Sequence, residues 1–231
     1  NQLVDLTEIL IGYNYVGKGR EDGKMDGEFC PIFYRTDQWE LLDNSQFWLS
    51  ETPEVAGSKS WDAAITRIVT WAKLEHQKTG KVVFVFNTHF DHKGILAKVN
   101  STDLLSEKIS EIAGGLPVIV TGDFNIRKKV RKNHSPLGKA LYYNLTGTLR
   151  ENNSLLDTKT ISKTPVRTAG STGTRNFKRD ASVIGDVDDA IDYIFVNQHF
   201  SVEACRVDRI MKENVFISDH WPVISVLKFK Q

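Results

Sequence analysis

A mixed α/β fold, two sheets with helices outside them, is what this sequence predicts, and three observations carry the prediction. Apolar, β-branched and aromatic segments with strand character outnumber helical ones, and many neighbours are joined by hairpin-like turns. One long amphipathic segment, Leu96–Ile112, lies among them and would cover a sheet face. No repeat, low-complexity tract or linker divides the 231 residues, so a single domain over 1–231 is expected.

Leu3, Leu6, Ile9 and Leu10 recur at helical spacing, which predicts a helix over Gln2–Leu10 ending near Gly12. Tyr13–Val16 reads as a short strand, and Gly17–Gly27, rich in Gly and charge, as a loop. Glu28–Arg35 and Trp39–Leu49 alternate as two strands joined at Thr36-Asp37, and Ser50–Trp61, with Pro53 and Gly57, is a loop. Arg67–Leu74 and Val82–Phe86 form a hairpin pair around Lys78-Thr79-Gly80. The Leu96–Ile112 helix places Leu104, Leu105, Ile109 and Ile112 on one face and stops at Gly114-Gly115. Leu116–Val120 is a wholly apolar strand, and Leu137–Leu145 is helical. Thr146–Asp189 is mostly irregular, with a basic stretch at Arg175–Arg179 and an acidic one at Asp186–Asp189. Ala190–Val196, Val202–Ile210 and Pro222–Phe229 are strands.

Composition excludes several classes. Lys+Arg 30 against Asp+Glu 29 leaves a net charge of +1, so no bulk field draws the chain to nucleic acid. A polyanionic substrate would need a local basic patch, such as Lys128, Lys129, Arg131 and Lys132, or a bound cation. Two cysteines, Cys30 and Cys205, make neither a disulfide framework nor a zinc cluster and read as two partly buried thiols. No apolar stretch approaches the roughly 20 residues of a membrane span. The sequence opens without Met inside a helix-like segment, so compartment is not readable from it.

The chemistry sits where apolar runs end. Val82–Phe86 leads into Asn87-Thr88-His89, Leu116–Val120 into Gly122-Asp123-Phe124-Asn125, and Val215–Ile217 into Ser218-Asp219-His220. Charged groups at strand ends stand half solvated at a sheet rim, and three such clusters suggest that several strand ends meet over one site. Asp and Asn offer oxygen to a hard metal ion, and His exchanges protons near neutral pH. Asp123 and Asn125 share a side if the backbone stays extended. Asp219 and His220 share a site only if the chain bends, as Ser218 and Pro222 permit. Asp192 lies inside the apolar run Ile191–Phe195, where a carboxylate needs a partner, and imidazole is the obvious one. Glu28 leads into a further apolar run, while Asp91 and His92 read as solvated loop residues.

In combination these motifs resemble the endonuclease/exonuclease/phosphatase superfamily, with the fold of pancreatic deoxyribonuclease. Gly-Asp-Phe-Asn, Ile-Asp-Tyr-Ile-Phe-Val and Ser-Asp-His-Trp-Pro-Val occur in that order, and the likeness runs from about Glu28 to Lys230. Phe47–Pro53, with Ser60-Trp61-Asp62 and Arg67, looks like a bacterial branch. The resemblance implies a DNase I-like four-layer α/β sandwich, two packed mixed sheets flanked by helices, with the site at their mouth. It further implies His220 as the central catalytic histidine held by Asp192, and His89 as a second histidine paired with Glu28. Asp123 would orient the nucleophilic water, Asn125 would hold the phosphate, and Asp219 would sit by Mg²⁺ or Mn²⁺. The family's first strand carries an Asn and then a metal-binding Glu, neither of which stands in this sequence, so the expectation is that such residues precede Asn1.

The implied activity is metal-dependent hydrolysis of a phosphodiester or phosphomonoester by in-line attack of water. A small molecule, a lipid headgroup or nucleic acid could carry the phosphate, with Trp61 or Trp221 available to stack if exposed near the site. A monomer is expected. The competing readings are a nuclease on DNA or RNA, and a non-catalytic binding domain that lost its metal site. The joint presence of His89, Asp123, Asn125, Asp192, Asp219 and His220 argues for chemistry, since a binding module needs no such set.

Overall fold

Two of the clusters lie on adjacent strands of one sheet. The computed structural model describes residues 2–128, 137–146, 155–164, 190–208, 210–213, 215–216 and 218–231. After helix α1 (Gln2–Ile9), strands β1 (Tyr13–Val16) and β2 (Ile32–Arg35) pair antiparallel. β3 (Trp39–Trp48), β4 (Ile68–His76) and β5 (Val82–His89) form an antiparallel meander. Helix α2 (Ile95–Ala113) then crosses over to β6 (Val118–Asp123), which lies parallel to β5. There follow α3 (Leu137–Leu145), β7 (Leu156–Asp157), the single turn α4 (Thr158–Ile161) and β8 (Asp192–Val196). β9 (Phe200–Val207) pairs with β12 (Val223–Phe229), and β10 (Met211–Lys212) with β11 (Val215–Phe216). The main sheet has the order β3-β4-β5-β6-β8-β7.

Strand alternation sends side chains to two cores, one on each face of this sheet. Phe84, Phe86, Val118, Val120, Tyr193 and Phe195 pack against Leu105 and Ile109 of α2 and Leu141 and Leu145 of α3. On the opposite face Ala72, Leu74, Val83 and Val196 meet Val16 and Ile32 of the β1–β2 pair and Phe200 and Val202 of β9. Helices therefore cover one face and further strands the other. Cys30 and Cys205 are free and buried, and burial pushes the Cys30 thiol up to about 12. Among the described residues no helix is long and apolar enough to cross a membrane.

Several predicted boundaries move. β5 runs on through Asn87 and Thr88 to His89, and β6 through Gly122 to Asp123, because polar residues at the ends still pair with their neighbours. Glu28 is not in a strand: its carbonyl accepts the Arg20 N–H, which holds it in the preceding loop, and β2 begins after Pro31. Val215–Phe216 belongs to a separate two-stranded hairpin rather than to a buried strand of the main sheet. β7 and α4 arise within the segment expected to be mostly irregular. Arg175–Arg179, Asp186–Asp189, Lys129–Lys132 and Ile217 lie outside the described residues.

Candidate functional site

The register of the main sheet builds the site. His89 is the direct partner of Asp123 across β5–β6, and Asp123 is the direct partner of Asp192 across β6–β8. Neighbouring strands lie about 4.8 Å apart, so three polar residues form one row across three strand ends. Gly122 permits the close approach: a Cβ there would stand 2.0 Å from the Thr88 carbonyl oxygen. Phe124, fully buried, anchors the turn beyond β6 with its ring 5.0 Å from Phe90 and 5.1 Å from Phe195. Its N–H donates to Ile191 O, and the Tyr193 hydroxyl donates to Ala190 O, so the approaches to Asn125 and Asp192 are tied together.

Asn125 does not continue the extended backbone of β6. Its φ is +48°, the left-handed region, which Asn tolerates better than most residues. Its N–H donates to Asp123 Oδ1 at 2.8 Å and its Nδ2 to Phe90 O at 3.0 Å. Asn125 and Asp123 both line the cleft, but a turn brings them there. Ser218–His220 bends as required: the His220 N–H donates to Ser218 Oγ, and Asp219 and His220 both line the cleft.

His220 Nδ1 lies 2.9 and 3.0 Å from the two Asp192 oxygens, and its Nε2 lies 3.9 Å from Asp123 Oδ2. His89 Nε2 stands 3.4 Å from the same Asp123 oxygen. Two histidines thus converge on one carboxylate. The hydrogen bond to Asp192 pushes the His220 pKa up to about 9 against the opposing effect of burial, so the ring is a cation at neutral pH. Burial acts to raise the pKa of Asp123, but His89, the Asn125 N–H and His220 outweigh it, and the carboxyl sits below its ordinary value.

His89 is not paired with Glu28. The Glu28 carboxylate takes the Arg20 guanidinium and lies 4.0 Å from Arg67 Nη1, because the loop before β2 folds Arg20 onto it. Glu28 still lines the same cleft of about 710 Å³ as His89, Asp123, Asn125, Asp219 and His220. Asn87 faces elsewhere, donating to Pro31 O. Trp221 is buried against Val207, and Trp61 lines a separate small cavity, so neither offers a stacking surface in the cleft. Asp91, expected to be solvated, is 1% exposed and accepts the N–H groups of Ala64, Ile65, Lys93 and Gly94.

Four cations also line the cleft, Arg20, Arg67, Lys98 and Arg127, and none of them belongs to a strand-end cluster. Arg67 is buried, its Nε and Nη1 have no hydrogen-bond partner among the described residues, and burial pulls its pKa below the ordinary value. Lys98 sits in the first turn of α2, whose leading N–H groups (Ile95, Leu96 and Ala97) are capped by Asp62. Short charged segments beside strands look solvated in sequence, which hides such residues.

Asp123, Asp192 and His220 each offer an atom within 4.8 Å of the others, the geometry of a metal group. His220 is a poor member, since its Nδ1 is engaged by Asp192 and its charged ring has no lone pair to give. The oxygens of Asp123 and Asp192 remain, with the carboxylates of Asp219 and Glu28 lining the same cleft, and oxygen donors of this kind suit a hard divalent cation. Asp219 is exposed, and its carboxylate takes no hydrogen bond from the described residues.

No family model and no curated protein matches the chain. Solved structures do. An endonuclease/exonuclease/phosphatase from Bacteroides vulgatus is 35% identical with a TM-score of 0.82, over 100% of this chain and 81% of that one. A mannosyl-6-phosphatase from Bacteroides thetaiotaomicron is 36% identical with a TM-score of 0.81, over 99% of this chain and 81% of that one. The human Nocturnin catalytic domain, at 16% identity and a TM-score of 0.70 over 100% of this chain and 77% of that one, shares the fold.

Proposed function

Since the chain belongs to the endonuclease/exonuclease/phosphatase family, with its DNase I-like sandwich of packed sheets, we propose that it is a divalent-metal-dependent phosphatase acting on a phosphomonoester of a small hydroxylated molecule. The observation that carries this reading is the row His89–Asp123–Asp192 with His220 closing on its end. It sets the Asp123 carboxylate 3.9 Å from Nε2 of a cationic imidazole, and both residues line the cleft. The bounded cleft and the near-neutral chain favour a small substrate over a duplex, and the 36% identity to a mannosyl-6-phosphatase favours a sugar phosphate.

In this scheme Asp123, ionised at neutral pH, orients the attacking water and accepts its proton. Asn125 gives one amide N–H to Phe90 O and keeps a second for a phosphoryl oxygen. His220, oriented by Asp192, protonates the leaving oxygen from Nε2. His89 supports Asp123 from the other side, its Nε2 3.4 Å from the carboxylate. Asp219 would hold Mg²⁺ or Mn²⁺ with help from neighbouring carboxylates, and the ion would neutralise phosphoryl charge.

Phosphate release from sugar 6-phosphates and phenyl phosphate, measured beside bis(p-nitrophenyl) phosphate, phosphoinositides and linear DNA, tests the reading. Monoesters should be cleaved best, chelation should abolish turnover, and Asp123→Asn should lower kcat by about 10²-fold or more. Full activity in Asp123→Asn, or cleavage of DNA alone, would overturn it.

A further inference from the structure

Behind the Asp192–His220 pair lies a buried cation that this chemistry does not use. Lys159 is 7% exposed, on the one-turn helix α4 that follows β7. Its backbone N–H donates to Asp157 Oδ1, whose other oxygen accepts the Tyr142 hydroxyl at 2.8 Å. Thr158 beside it accepts from Ser225 Oγ of β12, so α4 is fixed between the two sheets. From this base the Lys159 side chain runs inward. Its Nζ donates to the backbone carbonyl of Asp192 and stands 4.1 Å from the centre of the Tyr193 ring. Burial acts to lower its pKa, while Asp157 and Asp192 favour the charge.

The sheet explains why a carbonyl there needs a donor. β7 reaches β8 only at Leu156–Val196 and Asp157–Phe195. Asp192, at the other end of β8, pairs with Asp123 of β6 on its inner edge and lies beyond the two residues that β7 pairs with. The preceding carbonyl, Ile191 O, is taken by the Phe124 N–H. Lys159 Nζ reaches the Asp192 carbonyl from α4 and donates to it as a strand's N–H would. An apolar side chain of similar length would fill this space without desolvating an amine, so packing alone gives no reason for a lysine. We propose that Lys159 is a positioning residue: holding the Asp192 carbonyl from outside the sheet, it fixes the backbone from which the Asp192 carboxylate grips His220 Nδ1.

The inference rests on the phosphatase reading for its kinetic arm only. Lys159→Met should lower kcat for phenyl phosphate about tenfold and leave KM within about twofold, since a small displacement of a catalytic pair acts on turnover. Lys159→Arg, which restores a charged donor, should recover kcat to within about threefold. A second readout needs no substrate: the downfield proton resonance of the His220 Nδ1–H bonded to Asp192. It should be present in the parent and in Lys159→Arg, and lost or shifted in Lys159→Met. Thermal unfolding checks the fold of each variant. Should Lys159→Met not fold, Lys159→Gln, whose shorter neutral side chain falls short of the carbonyl, takes its place under the same criteria. Parent-like kcat and resonance in the Met or Gln variant, or an Arg variant as impaired as Met, overturns the proposal. A parent protein inert toward every phosphate ester sinks the phosphatase reading instead, and the resonance still tests the hold of Lys159 on Asp192.

Discussion

Replacing Asp192 by Asn removes a charge while keeping the shape of the side chain and one acceptor oxygen. The parent carboxylate bonds His220 Nδ1 through both oxygens, and this bond is the largest cause of the raised pKa of about 9. Without the charge, His220 returns toward the ordinary value near 6.5, and at about pH 7.5 its cationic fraction drops from about 97% to about 9%. That is roughly a tenfold loss of the general acid before any misorientation of the ring. At about pH 6 both proteins are mostly cationic, about 76% in the variant, so the loss from charge alone shrinks to about 1.3-fold. The deficit in kcat should therefore narrow about eightfold between pH 7.5 and pH 6, leaving a pH-independent remainder from lost orientation. Initial rates of phosphate release from phenyl phosphate across this range measure it. p-Nitrophenyl phosphate is the control: its leaving group needs little protonation, so its deficit should be smaller. A variant whose rate stays a constant fraction of the parent's at every pH, with equal deficits on both esters, refutes the assignment of His220 as general acid.

Two further outcomes follow from the same geometry. The folded pKa of His220 lies above its unfolded value, so its stabilisation is complete below about pH 6.5 and is lost as pH rises through about 9. With the side chain 29% exposed, the nominal shift is discounted to about 1–2 kcal/mol. For a chain of this length that lowers the Tm by about 2–8 °C between pH 6.5 and 9.5. Circular dichroism melts of the metal-free protein, with His220→Gln subtracting other titrations, should show this difference; superimposable pH trends would contradict it. At Asn125 the left-handed backbone and the amide can be separated. Asn125→Gly should keep parent stability yet lose about 10²-fold in kcat, whereas Asn125→Ala should also lose about 1–2 kcal/mol because a Cβ is strained there. Parent kcat in the glycine variant would remove Asn125 from phosphate binding.

Much of this could be read in advance, and the exceptions have physical causes. Apolar runs such as Val82–Phe86 and Val118–Val120 announce buried strands, and the polar residues at their ends announce a rim, because buried backbone tolerates charge only where water or a partner reaches it. Asp192 needed a partner for the same reason and has His220. The turn at Asn125 was hidden: period-two reasoning assumes extended backbone, and nothing in Gly-Asp-Phe-Asn says where extension stops. The partner of Glu28 was hidden because a loop chooses it, folding Arg20 across eight positions of sequence. β7 and α4 are too short to leave a period, and Lys159 within them looks like any surface lysine. Long-range tertiary contacts, rather than local propensity, decide each of these.

The row of His89, Asp123 and Asp192 has a consequence for how the protein comes into being. His89 and Asp123 meet only after the chain has passed through α2, and Asp192 joins only when β8 docks on the far edge of β6. His220 arrives last, from beyond β9 and the β10–β11 hairpin. Contacts so distant in sequence form late, after the local meander β3–β4–β5 and the helices. Partly folded forms therefore possess most of the secondary structure and none of the chemistry, and during refolding catalysis should be the final signal to return.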